Sequence, residues 1–453
     1  MKRVALLLAA LGWVGCGPSE QSPPDPTVGS LTPTEAEDAD GDGFAVDVDC
    51  DDTNADIHPD AIDLCDGVDN DCDLQVDGSA AATVGEENFE SVTAALTAAS
   101  ESAVIAVCPG DHAIPSRALA AGDDLTLISS MGAENTSLAE TNGNAAIFQL
   151  DAGAALTIDG FSISGHSVPA LLANGGTLTV RRSVLHDNTD SVIVGEPLGA
   201  VAVTVRVEDS RFENNTAPGD GGAIRLNERF ELQLVGSTFA DNTAVRGGAL
   251  FVRSVDSFGQ VVLTDTVIED NTAAQGGGIA AIGMSLEGVG DTRVLNNTAT
   301  VSGGGIYLAR TEASNLTVMG NDAPLGGGII AAYEPELAGL PIATMFTDGV
   351  LEGNTAQQGA GAAVDALESL HLQDTQVLAN TASMVGGGAF LGFPFGFLVS
   401  DSSDWAGDAN DNQPDDVYAA SSAPPEPPAG SSFSGYASGE TFSCSAAGCS
   451  PAP

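Results

Sequence analysis

The stretch Phe239-Ala-Asp-Asn242-Thr-Ala-Val-Arg-Gly247-Gly-Ala-Leu250-Phe-Val252 decides the fold, because its pieces keep returning along the chain. The asparagine recurs at Asn188, Asn215, Asn242, Asn271, Asn297, Asn321, Asn354 and Asn380, at intervals of 27, 27, 29, 26, 24, 33 and 26 residues. Three positions before each stands an apolar residue: Leu185, Phe212, Phe239, Ile268, Val294, Val318, Leu351 and Val377. From Asn215 onward a Gly-Gly or Gly-Ala-Gly group follows, then alternating apolar residues. Ile224, Leu250, Ile279, Ile306, Ile329, Ala362 and Ala389 align in one column. Leu226, Val252, Ala281, Leu308, Ala331, Val364 and Leu391 align in the next. Period-two alternation inside a period near 27 predicts an all-β, parallel β-solenoid whose inward side chains stack from coil to coil. A helical repeat would need apolar residues every three or four positions and would be broken by these glycines. The asparagine is expected to take the left-handed backbone of a tight corner and to bond its stacked copies. The glycines are expected to let neighbouring coils approach closely.

The composition suits an exported protein of this kind. There are 63 Asp+Glu against 13 Lys+Arg, a formal net charge of -50, and 55 glycines. So acidic a chain has no basic face for nucleic acid or anionic headgroups. Lys2 is the single lysine, which excludes Schiff-base and P-loop lysine chemistry. A 43% hydrophobic content is too high for a disordered chain.

Residues 1–15 read as a signal peptide: Lys2 and Arg3, the apolar run from Val4 to Leu11, then small residues. Trp13-Val14-Gly15-Cys16 resembles a bacterial lipobox, although Trp13 stands where Leu is usual; the resemblance implies lipidation at Cys16 and an outer-membrane location, or secretion if Cys16 stays unmodified. Residues 16–34 are rich in Pro, Ser and Gly, as a tether should be. With Cys16 set aside, Cys50, Cys65, Cys72, Cys108, Cys444 and Cys449 remain, an even set that suggests three disulfides in an exported chain. Cys444 is expected to pair with Cys449, and the other four among themselves.

Residues 35–82 form an acidic module, with 17 carboxylates and no Lys or Arg between positions 35 and 77. Asp38, Asp40 and Asp42 alternate, Gly43 stands sixth and Asp49 twelfth, the spacing of an EF-hand-like loop with the Phe44 carbonyl at position seven. Asp51 and a second cluster of Asp66, Asp69, Asp71, Asp73 and Asp77 add further oxygen donors. So many carboxylates repel one another unless a cation neutralises them, and hard oxygen donors favour calcium.

At this point the sequence resembles two families. The run Asp49-Cys50-Asp51-Asp52 with Cys65-Asp66-Gly67-Val-Asp69-Asn70-Asp71-Cys72-Asp73 resembles the MopE-type metal-binding motif, with Leu74 where the motif usually has Gly. The resemblance implies metal binding without naming the metal. Copper stays open because the name-giving member binds it, yet His58 is the single histidine of the module. Phe212-Glu-Asn-Asn215 and Gly221-Gly-Ala-Ile224 resemble the repeats of polymorphic outer-membrane proteins, which implies a right-handed parallel β-helix of the pectin-lyase-like type. That domain is expected over residues 83–420, entered through a helical cap near 88–99 and closed near Asp415-Asp416-Val417, with a flexible tail over 421–453.

Three functions compete. The first is a lipid-anchored surface protein, with a calcium-binding module and a rigid β-helix for adhesion or display to an extracellular polysaccharide or protein. The second is a carbohydrate-active enzyme, since pectin-lyase-like folds host lyases and hydrolases. The third is a copper-binding surface protein. Acid pairs such as Asp123-Asp124 are expected by chance in so acidic a chain, and Arg181, Arg182, Arg206, Arg211, Arg225, Arg229, Arg246, Arg253, Arg293 and Arg310 read as solvated charge offset. His112, His166, His186 and His371 fall far apart in the repeat, and no Ser/His/Asp set stands out. The expectation is a protein without a catalytic site.

Overall fold

The computed structural model describes residues 37–59, 61, 68–74, 80–85, 87–197, 201–256, 259–337, 343–365, 368–392, 397–401, 412–413, 417–419, 432–434, 441–445 and 448–451. The segments read as a signal peptide and a tether, Cys16, Cys65, Asp66, Asp77, Asp415 and Asp416 lie outside these residues.

One coil shows how the sequence winds. Phe230–Val235 forms a six-residue strand on the first face, Thr238–Ala240 a short strand on the second, and Leu250–Arg253 a strand on the third. Each face is a parallel sheet built by the same strand of successive coils. The second face stacks eleven strands and the third twelve, while a five-stranded sheet lines the stretch before the glycines in the later coils. On the third face the columns read from the sequence are paired in register: Ile224 with Leu250, Leu250 with Ile279, Ile279 with Ile306, Ile306 with Ile329, Ile329 with Ala362 and Ala362 with Ala389. These residues are fully buried, as are the eight apolar residues that precede the asparagines. Phe212 and Phe239 stack with ring centroids 4.8 Å apart. Burial of each Val, Leu, Ile or Phe side chain contributes roughly 1.5–3 kcal/mol. That makes the interior aliphatic ladder the main source of stability.

The asparagines form a second, polar ladder inside this core. Asn215 Nδ2 donates to Asn242 Oδ1 at 2.9 Å, Asn242 to Asn271 at 3.0 Å and Asn271 to Asn297 at 2.9 Å, and the series continues through Asn321, Asn354 and Asn380. The second proton of each Nδ2 reaches a main-chain carbonyl of the coil before, as Asn271 does to Phe239 at 3.0 Å. Each Oδ1 also accepts the backbone N–H of the preceding asparagine, as Asn271 Oδ1 does from Asn242. Side chains that are buried to this degree need all their polar atoms paired, and here they are. The sequence expectation is half corrected. The asparagines do bond their copies, but the left-handed residue is the one before each: Asp187, Asn214, Asp241, Asp270, Asn296, Gly320, Gly353 and Ala379 all have positive φ. The ladder also runs further than the Asn-Thr pattern. Asn412 accepts from Asn380 at 3.0 Å, and His166 occupies the rung before Asn188, whose Oδ1 accepts the His166 N–H at 2.9 Å.

Glycine supplies the close approach. A Cβ on Gly248 would collide with the carbonyl oxygen of Gly277, and one on Gly277 with that of Gly304. The residue before each such glycine (Gly247 and Gly276 here) is itself left-handed.

At the entry, Ser91 caps the helix α1 (Val92–Ala98), its side chain accepting from Ala94 N–H, and Val92, Ala95 and Leu96 are buried. Ala82–Val84 pairs antiparallel with Ser102–Val107, the first parallel strand of the first face. At the other end Val417–Ala419 pairs with Ala389–Leu391. Three short strands lie in the segment read as a tail. Phe433 pairs with Ser400, and an antiparallel hairpin sets Cys444 opposite Cys449.

The outward column of the third face is apolar over several coils. Phe251, Ala280, Tyr307, Ile330 and Ala363 point away from the interior yet are buried in a second apolar cluster with Leu337. Leu337 belongs to the insertion that lengthens the coil between Asn321 and Asn354 to 33 residues, where the chain forms the turn Pro335–Leu337. Polar contacts fasten this insertion: Tyr307 donates to Glu334 at 2.9 Å, and Arg253 pairs with Glu336. Arg246 holds Asp220 through two bonds and lies over the Phe251 ring. The ten arginines expected as charge offset all stand in ion pairs.

Two outcomes follow. Asn271→Ala leaves two donors of Asn242, the Phe239 carbonyl and Asn297 Oδ1 short of a partner. At about 1–3 kcal/mol per unsatisfied buried group, a loss of roughly 3–5 kcal/mol is expected in chemical denaturation. His166 presents the second case. Its ring is buried with both nitrogens unpartnered, and burial lowers its pKa against the opposing pull of Glu140. Above about pH 6.5 the ring is neutral folded and unfolded. Below that the unfolded chain takes the proton first, so stability falls with pH. His166→Asn should remove this slope between pH 7 and 5 and extend the asparagine ladder by one rung, which a melting series across pH would show.

Candidate metal centre

The acidic module has little apolar material, so its loops are shaped by carboxylates bonding their own backbone. Asp38 accepts from Gly41 N–H at 2.7 Å and Gly43 N–H at 3.1 Å, Asp40 from Asp42 N–H at 3.3 Å, Asp42 from Phe44 N–H at 2.8 Å, and Asp49 from Asp51 N–H at 2.8 Å. Gly41 and Gly43 are left-handed, which permits the tight winding. These bonds occupy both oxygens of Asp38 and one oxygen each of Asp40, Asp42 and Asp49. The remaining oxygens Oδ2 of Asp40, Asp42 and Asp49 are buried without a partner, and Asp49 is only 7% exposed.

Three anionic oxygens withdrawn from water with nothing to balance them make an unfavourable arrangement unless a cation lies between them. Burial, together with the neighbouring charges of Asp42, Asp49 and Asp38, raises the pKa of Asp40. Asp38, Asp40 and Asp42 each offer a carboxylate oxygen, all within 4.8 Å of one another. The donors are carboxylate oxygens, which suit a hard divalent cation. Among the described residues, Cys50 and Cys72 lie beside Asp49 but are joined as a disulfide, so they offer no thiolate. His58 stacks on the Phe44 ring at 4.9 Å, with Nδ1 3.0 Å from the Pro59 carbonyl.

A second group, Asp69, Asp71 and Asp73, also gathers within 4.8 Å. Asp69 accepts from the N–H groups of Asp73 and Leu74 at 3.1 and 2.8 Å. The Cys50–Cys72 disulfide and the bond from His58 N–H to the Asn70 carbonyl at 2.9 Å tie this loop to the first. Closing a loop of 22 residues contributes about 3 kcal/mol by restricting the unfolded chain. Cys108 is also disulfide-bonded.

Of the residues read as ligands, the structure brings together Asp38, Asp40 and Asp42, with the charge of Asp49 near enough to act on Asp40; separately, it gathers Asp69, Asp71 and Asp73. It does not bring in Asp51, whose carboxylate accepts from the Thr53 hydroxyl at 2.7 Å on the exposed side. Asp66 and Asp77 lie outside the described residues. Asp52 was not read from the sequence as part of the site, yet its Oδ1 accepts the Ala39 N–H at 3.0 Å and braces the first loop. Only its place in the Asp51-Asp52 pair hinted at it.

With this geometry in view, the comparisons with known families fall into place. The Cu-binding MopE metal-binding motif matches residues 49–78, and the Chlamydia polymorphic membrane protein repeat matches residues 209–226. The chain carries a MopE-type motif ahead of a parallel β-solenoid. No curated protein matches it. Among solved structures, the catalytic domain of a GH87 alpha-1,3-glucanase in complex with tetrasaccharides is similar at 13% identity and a TM-score of 0.29, over 70% of this chain and 63% of that one. So distant a likeness says nothing about activity.

The MopE-type motif usually has Gly where this chain has Leu74. Here Leu74 has φ 74° and is 91% exposed, so it gains no packing in return for a left-handed backbone. That conformation costs a residue with a Cβ roughly 1–2 kcal/mol. Leu74→Gly should therefore stabilise the module by about 1 kcal/mol in thermal unfolding, less what glycine loses through its freer unfolded state.

Proposed function

We propose that this protein is a lipid-anchored cell-surface protein, in which a calcium-binding acidic module precedes a rigid β-helix that displays a long lateral face to an extracellular polysaccharide or protein. The unpartnered buried oxygens of Asp40, Asp42 and Asp49 carry the metal half of this reading. An all-oxygen donor set selects calcium over copper. The surface half draws on the two families, one of metal-binding motifs and one of membrane-protein repeats, and on the lipobox-like Trp13-Val14-Gly15-Cys16. Among the described residues no helix is long and apolar enough to cross a membrane. We read the solenoid as right-handed, since parallel crossovers almost always are, and α1 with the Ala82–Val84 strand as its cap, since an open sheet edge templates unwanted pairing.

The test is a calorimetric titration of chelator-stripped mature protein with Ca²⁺ and, separately, Cu²⁺. Calcium binding is expected with Kd of about 10⁻⁴ to 10⁻³ M, the range of extracellular modules, and it should be lost in a variant carrying both Asp40→Ala and Asp42→Ala. Tight Cu²⁺ binding with no calcium heat would overturn the reading.

A further inference from the structure

The second face of the solenoid assembles a side-chain set that the linear sequence conceals. Ser162 stands on the strand Ser162–Ser164, and His186 on Val184–His186 one coil later. In register Ser162 faces Val184 and Ser164 faces His186, so the imidazole reaches diagonally. Ser162 Oγ lies 3.1 Å from His186 Nε2, and His186 Nδ1 lies 2.6 Å from Asp187 Oδ2. Asp187 is one of the left-handed corner residues (φ 53°), and that turn holds its carboxylate against the ring of the residue before it. The two contacts together select one tautomer: Nδ1–H donates to Asp187, leaving Nε2 to accept the serine proton. A hydroxyl, an imidazole within reach of it and a carboxylate that orients the imidazole are the parts of a nucleophile–base–orienter set. We propose that Ser162, His186 and Asp187 form a hydrolytic site for small, neutral acyl esters carried on an extended polymer.

The surroundings narrow the substrate. The site lies on an open sheet face, with the His186 side chain 30% and that of Asp187 64% exposed. The neighbours in the two outward columns are short: Ser137 beside Ser162, and Ser164 beside His186. An open face bordered by such short side chains favours an acetyl-sized group over a long acyl chain. Asp111, bonded by Ser137 at 2.7 Å, and Glu213, in register with His186, place negative charge nearby and disfavour anionic esters. Arg211 does not offset this freely, because it pairs with Glu213 at 2.6 Å. In the first step Ser162 Oγ bonds to the acyl carbon as His186 Nε2 takes its proton. The ester C–O bond then breaks, and the leaving alcohol receives that proton. Water, deprotonated by His186, next attacks the acyl-serine, releasing the carboxylic acid and restoring the serine hydroxyl. Backbone N–H groups of these strands are committed to the parallel ladder and the Ser137 hydroxyl to Asp111, so charge on the acyl oxygen is met by water. Acceleration should then be that of general-base assistance, about 10²–10⁴-fold, below that of an enzyme with a preformed oxyanion hole.

The experiment uses the mature full chain and para-nitrophenyl acetate, with release of nitrophenol followed against pH and quenched samples analysed by peptide mass spectrometry. Hydrolysis above buffer is expected. An acetyl group should appear on Ser162, and Ser162→Ala and His186→Gln should each lower the rate by about 10²-fold or more. Ser162→Cys should retain the nucleophile and accumulate the acyl adduct, which separates a lost nucleophile from a damaged fold. A rate equal to buffer, an unchanged rate in Ser162→Ala, or acetylation only at other residues would overturn the proposal. The metal module plays no part in any of these outcomes.

Discussion

Everything in the solenoid answers to the hydrogen bonds that one buried asparagine makes to the next. A primary amide has two protons and a carbonyl oxygen, and each rung uses all of them. One proton goes to the following rung, one to a main-chain carbonyl of the coil before, and the oxygen accepts from both the amide and the backbone of the preceding rung. This fixes the spacing of the coils at the corner, so the chain between rungs must return to the same place whatever its length. Coils of 24 and 33 residues therefore coexist. The surplus is expelled as a loop, and the longest one folds back over Phe251 and Tyr307 and creates the outer apolar cluster. The glycine pair answers to the same spacing, because a Cβ there would occupy the next coil's carbonyl.

The acidic module obeys the same rule with a different solution. In the solenoid every buried polar atom of the described asparagine rungs finds a protein partner. In the first acidic loop the backbone satisfies one oxygen each of Asp40, Asp42 and Asp49 and leaves the other buried without a partner. The module has no Lys or Arg between positions 35 and 77 to balance these charges, which is why the proposed function gives that role to a cation. The disulfide and the Phe44–His58 stack then hold loops that have almost no hydrophobic core of their own.

Much of this was legible in the sequence where the signal is local and repeated. The inward columns and the apolar residue before each asparagine emerge from counting, since each repeats the same two-residue alternation. The reading was less successful where neighbours come from different coils. Asn412 escaped because Gln413 rather than Thr follows it, and His166 because a different residue type occupies the rung. The left-handed corner was placed one residue late, because asparagine and its predecessor are both small polar residues and sequence alone does not say which turns. Ser162 and His186 are 24 residues apart and meet by a diagonal across two strands, a relation that depends on the register and on the side-chain directions at once. The alternate spacing of Asp38, Asp40 and Asp42 in the sequence corresponds to three carboxylates within 4.8 Å of one another. Asp51 did not follow them, because its own Thr53 contact turns it outward.

The central claim is that the asparagine ladder locks the coils, and amide hydrogen exchange followed by mass spectrometry tests it most directly. The backbone N–H of each ladder asparagine is bonded to a side-chain oxygen inside the core, at 2.8 Å for Asn297 and 2.9 Å for Asn242, Asn321 and Asn354. Corner peptides containing Asn242 through Asn354 should therefore exchange as slowly as the central strands, and only through global unfolding. If those corner peptides instead exchange as fast as the exposed loops while the strands stay protected, the ladder does not hold the solenoid and the account fails.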